Sequence, residues 1–358
     1  MDEFFIYEKY LTDKQIAILK DLLEYRVMTT NMLRERFFNG KGRYVEQVLM
    51  GLRKDGFIKT DTLRRSRKGI KGYPVHQITE KGRDAIQRYI PRDDELQHIG
   101  LQKVKEHQMP QILLANEVFF EYKRVGWVIW DSRIVKKKYK LDYRYHIQGM
   151  VISKEGKRYA IYAFDRGLNE NVVGKVQKEV IQQDKANGIH NNIFLFKGIE
   201  SYGKFIDYGL RKVETRNSEG YELRPPLQTV GEIIIEPYTL HMQKLTKGIS
   251  KQDWFQRLCD FFDIKITQNK LHKKRQAFET IGEYQGQEFF VVDLTDGDIN
   301  KYHSIKAYSQ SEQSWNNNRM IMVFMLPMET DMYISLDELP YVKIMDITGD
   351  QFPTIIDM

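Results

Sequence analysis

The pattern of apolar and polar positions divides the chain into segments of different character. In LTDKQIAILKDLLEYR, Ile16, Leu19, Leu22 and Leu23 share one helical face, with Thr12 or Asp13 placed to cap the first turn. VMTTNMLRERFF predicts a short second helix, capped by Thr29 or Thr30 and burying Leu33 and Phe37. In RYVEQVLMGLRKDG, Val45, Val48, Leu49 and Leu52 form the stripe of a third helix, which Gly56 stops. FIKTDTLRR and VHQIT then predict two strands joined by the Gly- and Lys-rich SRKGIKGYP. Thr79 caps a further helix, EKGRDAIQRYI.

After PRDDEL the chain turns charged, and residues 91–108 read as a linker or connecting helix. A helix over MPQILLANEVFFEYKRVG turns Ile112, Leu113, Val118, Phe119 and Tyr122 inward. WVIWDSRIV, YHIQGMVI and RYAIYAF read as strands, NENVVGKVQKEVIQQDKA as a helix and NNIFLFKG as a strand. The last strand, helix and strand make a βαβ unit, which predicts a mixed sheet with parallel pairing at its centre.

From about residue 253 a similar order returns. DWFQRLCDFFDI reads as a helix with Trp254, Leu258, Phe261 and Phe262 inward. AFETIGEY and QEFFVVDLT read as strands, NKYHSIKAYSQSEQ as a helix and RMIMVFML as a strand. Setting EGKRYAIYAFDRG beside YQGQEFFVVDLTDG places Gly167 opposite Gly297 and Ala163 opposite Asp293, which suggests an internal duplication. The expected fold class is α+β / α/β multidomain. Domains are expected over 1–90, 109–228 and 229–358, the last a duplication of the one before it.

The composition, 41% hydrophobic and 29% charged over 358 residues, is that of an ordinary soluble protein of two or three domains. No apolar run approaches the roughly 18 residues of a membrane span, and the acidic start MDEFF is no signal peptide, so a cytoplasmic protein is expected. The single cysteine, Cys259, excludes an internal disulfide and reads as a small core residue. The net charge of +7 gains meaning from its clustering. Arg64, Arg65, Arg67, Lys68 and Lys71 occur without an intervening acid, and Lys136, Lys137, Lys138, Lys140 and Arg144 surround only Asp142.

Three helices followed by a two-stranded hairpin is the order of a winged helix-turn-helix. L-x-x-L-x-x-x-G-F-I running into the hairpin, and ITEKGRDAI after it, resemble winged-helix DNA-binding domains. That resemblance implies a recognition helix reading bases through Arg43, Tyr44 and Gln47, and a wing whose basic cluster contacts phosphates. The order of elements after it resembles the restriction-endonuclease-like fold. Over roughly residues 10–200 the chain resembles the replication-relaxation family of plasmids and mobile elements, which joins a winged helix to a nuclease-like domain. The motifs that carry this are EHQMPQILLANEV, a helix entered after a His, and IYAFDRG, where the family has a strand ending in E-x-D-R-G.

Metal-dependent phosphodiester cleavage needs at least two carboxylates around a divalent ion and usually a lysine. Here Gln148 stands at the acid position before Gly149, Ala163 stands where a Glu would precede Asp165, and Gly167 stands where a Lys would follow. Asp142 or Glu117 could supply a migrated ligand. In the second segment Asp293 holds the acid position, with Asp296, Asp298 and Glu279 nearby, but Thr295 stands where the lysine would be. His190, His241, His272 and His303 lack metal-ligand spacing, and 236–245 and 329–358 carry no readable motif.

The expectation is a sequence-specific double-stranded-DNA-binding protein of a plasmid or mobile element, acting in replication initiation or control. Its nuclease-like domains would be catalytically silent platforms, with no catalytic residue, metal or other cofactor. Expected partners are double-stranded DNA, replication proteins and, since winged-helix proteins often dimerise, a second copy of the chain; no membrane is expected. One alternative is an active nickase or endonuclease that uses Mg²⁺ with Asp142, Asp165 and Asp293. Another is a winged-helix transcriptional regulator.

Overall fold

The computed structural model describes residues 10–40, 44–63, 72–92, 94–101, 104–165, 168–210, 213–217, 220–224, 226–269, 278–311, 319–326 and 339–358. The chain forms two compact units, residues 1–118 with 130–140 and residues 119–129 with 141–358.

The first unit opens with α1 (Asp13–Tyr25). The Thr12 hydroxyl accepts from Gln15 N, and the Gln15 amide oxygen accepts from Thr12 N, closing a capping box. Ile18, Leu19, Leu22 and Leu23 are buried; Ile16 is only half-buried, so Ile18 takes the place on the stripe expected for it. β1 (Met28–Thr29) leads into α2 (Thr30–Phe38), which Thr29 caps, and α3 (Tyr44–Lys54) buries Val45, Leu49 and Leu52. The chain turns at Gly56, whose φ of +76° suits glycine. It then forms the antiparallel pair β2 (Ile58–Leu63) and β3 (Tyr73–Ile78), with β1 on the far side of β3.

His76 ties this sheet to α2. Its ring nitrogens lie 2.8 Å from the Thr30 hydroxyl and 2.9 Å from the Thr60 hydroxyl. Burial, reinforced by Arg53, lowers its pKa to about 4, so the ring is neutral at pH 7. α4 (Glu80–Gln87) starts at the Thr79 cap. Within 91–108, expected as a linker or helix, the described residues form only two single 3₁₀ turns, Glu95–His98 and Glu106–Gln108. After α5 (Met109–Arg124) comes β4 (Val128–Asp131). The strand expected over WVIWDSRIV stops there, because the Asp131 carboxylate accepts from Arg133 N at 3.0 Å and Ile134 N at 3.1 Å. Those bonds nucleate α6 (Ser132–Lys138) instead.

The second unit continues with β5 (Gly149–Ile152), β6 (Arg158–Phe164), α7 (Glu170–Asn187), β7 (Asn191–Phe196) and α8 (Ile199–Leu210). A hairpin of β8 (Val213–Asn217) and β9 (Gly220–Arg224), then β10 (Ile233–Pro237) and α9 (Tyr238–Thr246), complete its first half. The sheet order is β10-β7-β6-β5-β4, with β5 antiparallel to β6, and β7 parallel to both β6 and β10. β6 and β7 are buried almost throughout, as parallel strands covered on both faces require. Neighbouring rings stack along this pair, Tyr162 on Phe194 at 4.9 Å and Phe164 on Phe196 at 5.3 Å.

The rest of the unit is α10 (Lys251–Phe261), β11 (Lys265–Gln268), β12 (Ile281–Tyr284), β13 (Gln287–Asp293), α11 (Ile299–Ser309), β14 (Met320–Met325), β15 (Val342–Asp346) and α12 (Gln351–Asp357). Its sheet order is β11-β12-β13-β14-β15; β12 is antiparallel to β11 and β13, and β14 is parallel to β13 and β15, so an antiparallel pair is again followed by two parallel ones. The covered faces correspond as well. Tyr159 meets Trp127, just beyond α5, while Phe289 and Val291 join Trp254 and Leu258 of α10 in one core. Because side chains alternate along a strand, Ala163 shares the face of Tyr159, and Asp293 shares the face of Phe289 and Val291. Cys259 lies in the second core, and burial pushes its thiol up to about 12.

Candidate nucleic-acid interface and the acid cluster of the second sheet

Seating Val45, Leu49 and Leu52 in the first core leaves the other side of α3 to solvent. Tyr44 and Met50 are 59% and 57% exposed, and Gln47, Arg53 and Lys54 are exposed beside them. The Tyr44 ring stands edge-on to Phe38 at 5.8 Å, which gives it a defined position. The one acid on this side, Glu46, is ion-paired with Arg34 of α2. Arg43 and the cluster Arg64, Arg65, Arg67, Lys68 and Lys71 lie outside the described residues.

The second basic patch falls on the last turn of α6 and just beyond it. Lys137, Lys138 and Lys140 are exposed and Lys136 is half-buried. Lys138 pairs with Glu95 at 2.7 Å and lies 4.2 Å from the Trp130 ring centre. Cations here also answer the negative end of the helix dipole, so part of this charge serves the helix itself.

The acid positions of the two sheets are filled differently. Beside β6, the Gln148 side-chain nitrogen donates to the Ala163 carbonyl at 3.0 Å, and its oxygen accepts from Ala163 N at 2.5 Å. This buried amide completes the main-chain bonding of Ala163, which a carboxylate, having no donor, could not do. Asp142 is engaged by Arg144 at 2.8 Å, and Asp165 is half-buried beyond the end of β6. Among the described residues no three His, Cys, Asp or Glu side chains converge as a metal's ligand set, so Asp142, Asp165 and Asp293 are not brought together.

At the end of β13 a cluster of buried charges forms. Asp293 Oδ1 accepts from Thr295 N at 2.9 Å and from the Thr295 hydroxyl at 2.7 Å, and that hydroxyl accepts from Trp254 Nε1 at 2.8 Å. Lys301, in the first turn of α11, donates to the Asp293 carbonyl at 2.5 Å and to the Asp296 carboxylate at 2.6 Å. Lys251 lies 3.2 Å from Asp296 and 3.5 Å from Glu232, and Glu232 also takes Lys157 at 2.9 Å. Asp298 caps α11 by accepting from Asn300 N at 3.0 Å.

Burial opposes ionisation of all three aspartates, and their neighbours separate them. Lys301 and Lys251 outweigh burial at Asp296 and hold it well below the usual carboxylate range. Burial, aided by Asp296, raises Asp298 to about 6. Asp293 is also raised, by burial against the pull of Lys301.

The loop carrying these acids is fastened to the first sheet. Ile235 N of β10 donates to the Asp296 carbonyl at 2.8 Å, and a Cβ on Gly297 would lie 2.3 Å from the Ile235 carbonyl. Gly297 is therefore required twice over, by this approach and by its φ of +58°. Further along β10, Glu236 pairs with Lys244 and with His241 at 2.6 Å, and the other His241 nitrogen lies 2.9 Å from the Tyr122 hydroxyl.

Sequence spacing did not single out Lys244, Lys251 or Lys301, because each reaches its acid from a different helix. The one local signal was Asp298 as a helix cap, which sets Lys301 on the first turn, facing back to the loop. Neither a protein-family model nor a curated protein matches the chain.

Proposed function

We propose that the protein binds a specific double-stranded DNA site through a winged helix formed by α1–α3 and the β2–β3 hairpin, and that it acts in replication or its control on a plasmid or mobile element. The observation that carries this reading is the solvent side of α3, where Tyr44, Gln47, Met50, Arg53 and Lys54 stand clear and the only acid is already paired. The segment joining β2 to β3 adds Arg64, Arg65, Arg67, Lys68 and Lys71. A helix fit for a major groove, in a chain that also carries a cationic segment fit for phosphates, is a combination that binds duplex DNA. The replication role rests on the resemblance to the replication-relaxation family.

The second unit serves in this reading as two copies of a nuclease-like fold that do no cleavage. Gln148 is committed to main-chain bonding, the Asp296 carboxylate is paired with Lys301 and Lys251, and its loop is hydrogen-bonded to β10.

Titration of labelled duplexes from the protein's own replicon over a range of salt concentrations tests the binding half. Neutralising Arg64, Arg65, Arg67 and Lys68 together should weaken binding to every duplex and shrink the log–log salt slope by up to roughly 3.6. Gln47→Ala should instead change which duplex is preferred. Failure to bind any such duplex at moderate salt would overturn the reading. Mg²⁺-dependent relaxation of supercoiled plasmid, abolished by Asp293→Ala, would overturn the silent-platform half.

A further inference from the structure

The first unit contains a cavity of about 400 Å³ that the DNA-binding reading does not use. Leu22 and Leu23 of α1, Ile78 of β3 and Leu101 form its apolar wall, and Arg26 and Arg133 its cationic one. Two further lining charges, Lys59 and Glu80, are of opposite sign. The volume falls within the roughly 300–1,000 Å³ of small-molecule sites, and the lining joins apolar side chains to charged and polar ones, as such sites do.

Arg26 is unusual in two ways. Its backbone, at φ +66° and ψ −46°, is spanned by a 2.7 Å bond from Val27 N to the Tyr25 carbonyl, which makes a γ-turn that strains any residue but glycine. The Asn116 side chain holds this turn by donating to the Tyr25 carbonyl at 3.0 Å and the Val27 carbonyl at 2.8 Å. The Arg26 side chain is 13% exposed, and its one ion-pair partner among the described residues is Asp131 at 3.9 Å, beyond hydrogen-bonding range. Asp131 is already taken by Arg133 Nε at 2.6 Å and by the two amides that start α6. Burial, offset in part by Asp131 and reinforced by Arg133, brings the Arg26 pKa down to about 10. A mostly buried guanidinium, with five donors and no hydrogen-bond acceptor among the described residues, is costly unless something supplies one.

We propose that the cavity binds a small organic carboxylate, its carboxylate on the Arg26 guanidinium and its hydrocarbon part against Ile78 and Leu101. The planar fork of a guanidinium matches a carboxylate in two parallel bonds. Arg26 and Arg133 against Asp131 leave one positive charge, which suits a monoanion, and the apolar wall selects for a hydrocarbon body. The site does not depend on the DNA-binding reading.

Calorimetric titration of the full chain with benzoate, hexanoate and octanoate tests this, with hexanamide and inorganic phosphate as comparators. A saturable heat is expected from at least one carboxylate, with hexanamide binding about tenfold or more weakly. Arg26→Gly should abolish the carboxylate heat; because glycine adopts the same φ without strain, its thermal unfolding midpoint should not fall below that of wild type. Leu101→Trp, which narrows the apolar wall and leaves the charge in place, should weaken octanoate more than benzoate. The proposal is overturned if none of the three carboxylates gives a saturable heat, if hexanamide binds as well as hexanoate, or if Arg26→Gly binds as wild type does. Binding of phosphate alone would also overturn it.

Discussion

The ends of β6 and β13 occupy corresponding places in two sheets of the same strand order, and they are built from opposite chemistry. At β6 the acid positions hold Gln148 and Ala163, and one side-chain amide closes both main-chain bonds of Ala163. At β13 the corresponding position is Asp293, in a cluster with Asp296, Asp298 and Lys301 whose loop is pinned to β10 through Ile235 and Gly297. The lesson is that strand order prescribes where side chains meet and leaves their chemistry open. The same place can be filled by a neutral amide or by an acid–lysine cluster.

Three substitutions test this contrast. The largest effect is expected from Lys301→Met, which leaves the Asp296 carboxylate with only the longer Lys251 ion pair and the Asp298 amide, each at 3.2 Å. Breaking a buried pair costs about 3–5 kcal/mol, and urea unfolding at pH 7 should show a loss of that order. A loss below about 1 kcal/mol would mean that the cluster does not depend on this ammonium, contrary to the geometry.

Gln148→Glu restores the acid of a nuclease pattern at β6. It should destabilise by about 2–3 kcal/mol, since the Ala163 carbonyl loses its donor and a charge is buried, and it should confer no cleavage. Unfolding unchanged from wild type would show that the amide is not what holds Ala163.

The smallest effect is expected from Asp298→Asn, and its sign depends on pH. Folding raises the pKa of Asp298 from 3.8 to about 6, so the folded state binds the extra proton between those values and stability falls as pH rises through them. Asparagine keeps the cap on α11 and removes the charge. The variant should match wild type near pH 4 and exceed it by on the order of 1–2 kcal/mol above pH 6. An advantage that shrank as pH rose would reverse the assigned shift.

Much of this architecture is legible in the sequence. The helical stripes of α1 and α3, the caps at Thr12, Thr29 and Thr79, and the near-continuous apolar runs of β6, β7, β13 and β14 each carry their cause locally. Errors arose where a local bond competed with propensity. WVIWDSRIV is rich in strand-forming residues, yet two amide bonds to Asp131 turn its second half into α6. The motifless EPYTLHMQKL ends β10 and forms α9, and its Glu236, His241 and Lys244 are a connected set that no period reveals.

What the sequence by itself determined is the order of elements, the apolar faces, the absence of an acid at Gln148 and Ala163, and the clustering of cations between β2 and β3. These depend on neighbours within a few residues, where spacing and side-chain type suffice. Only the tertiary structure decided that Lys251 and Lys301 neutralise one aspartate, that Gly297 lies against Ile235, and that Arg26 faces a cavity with its acid already taken. Such contacts join residues on different elements, most of them many positions apart, and the charges among them shift one another only once burial has removed the water between them.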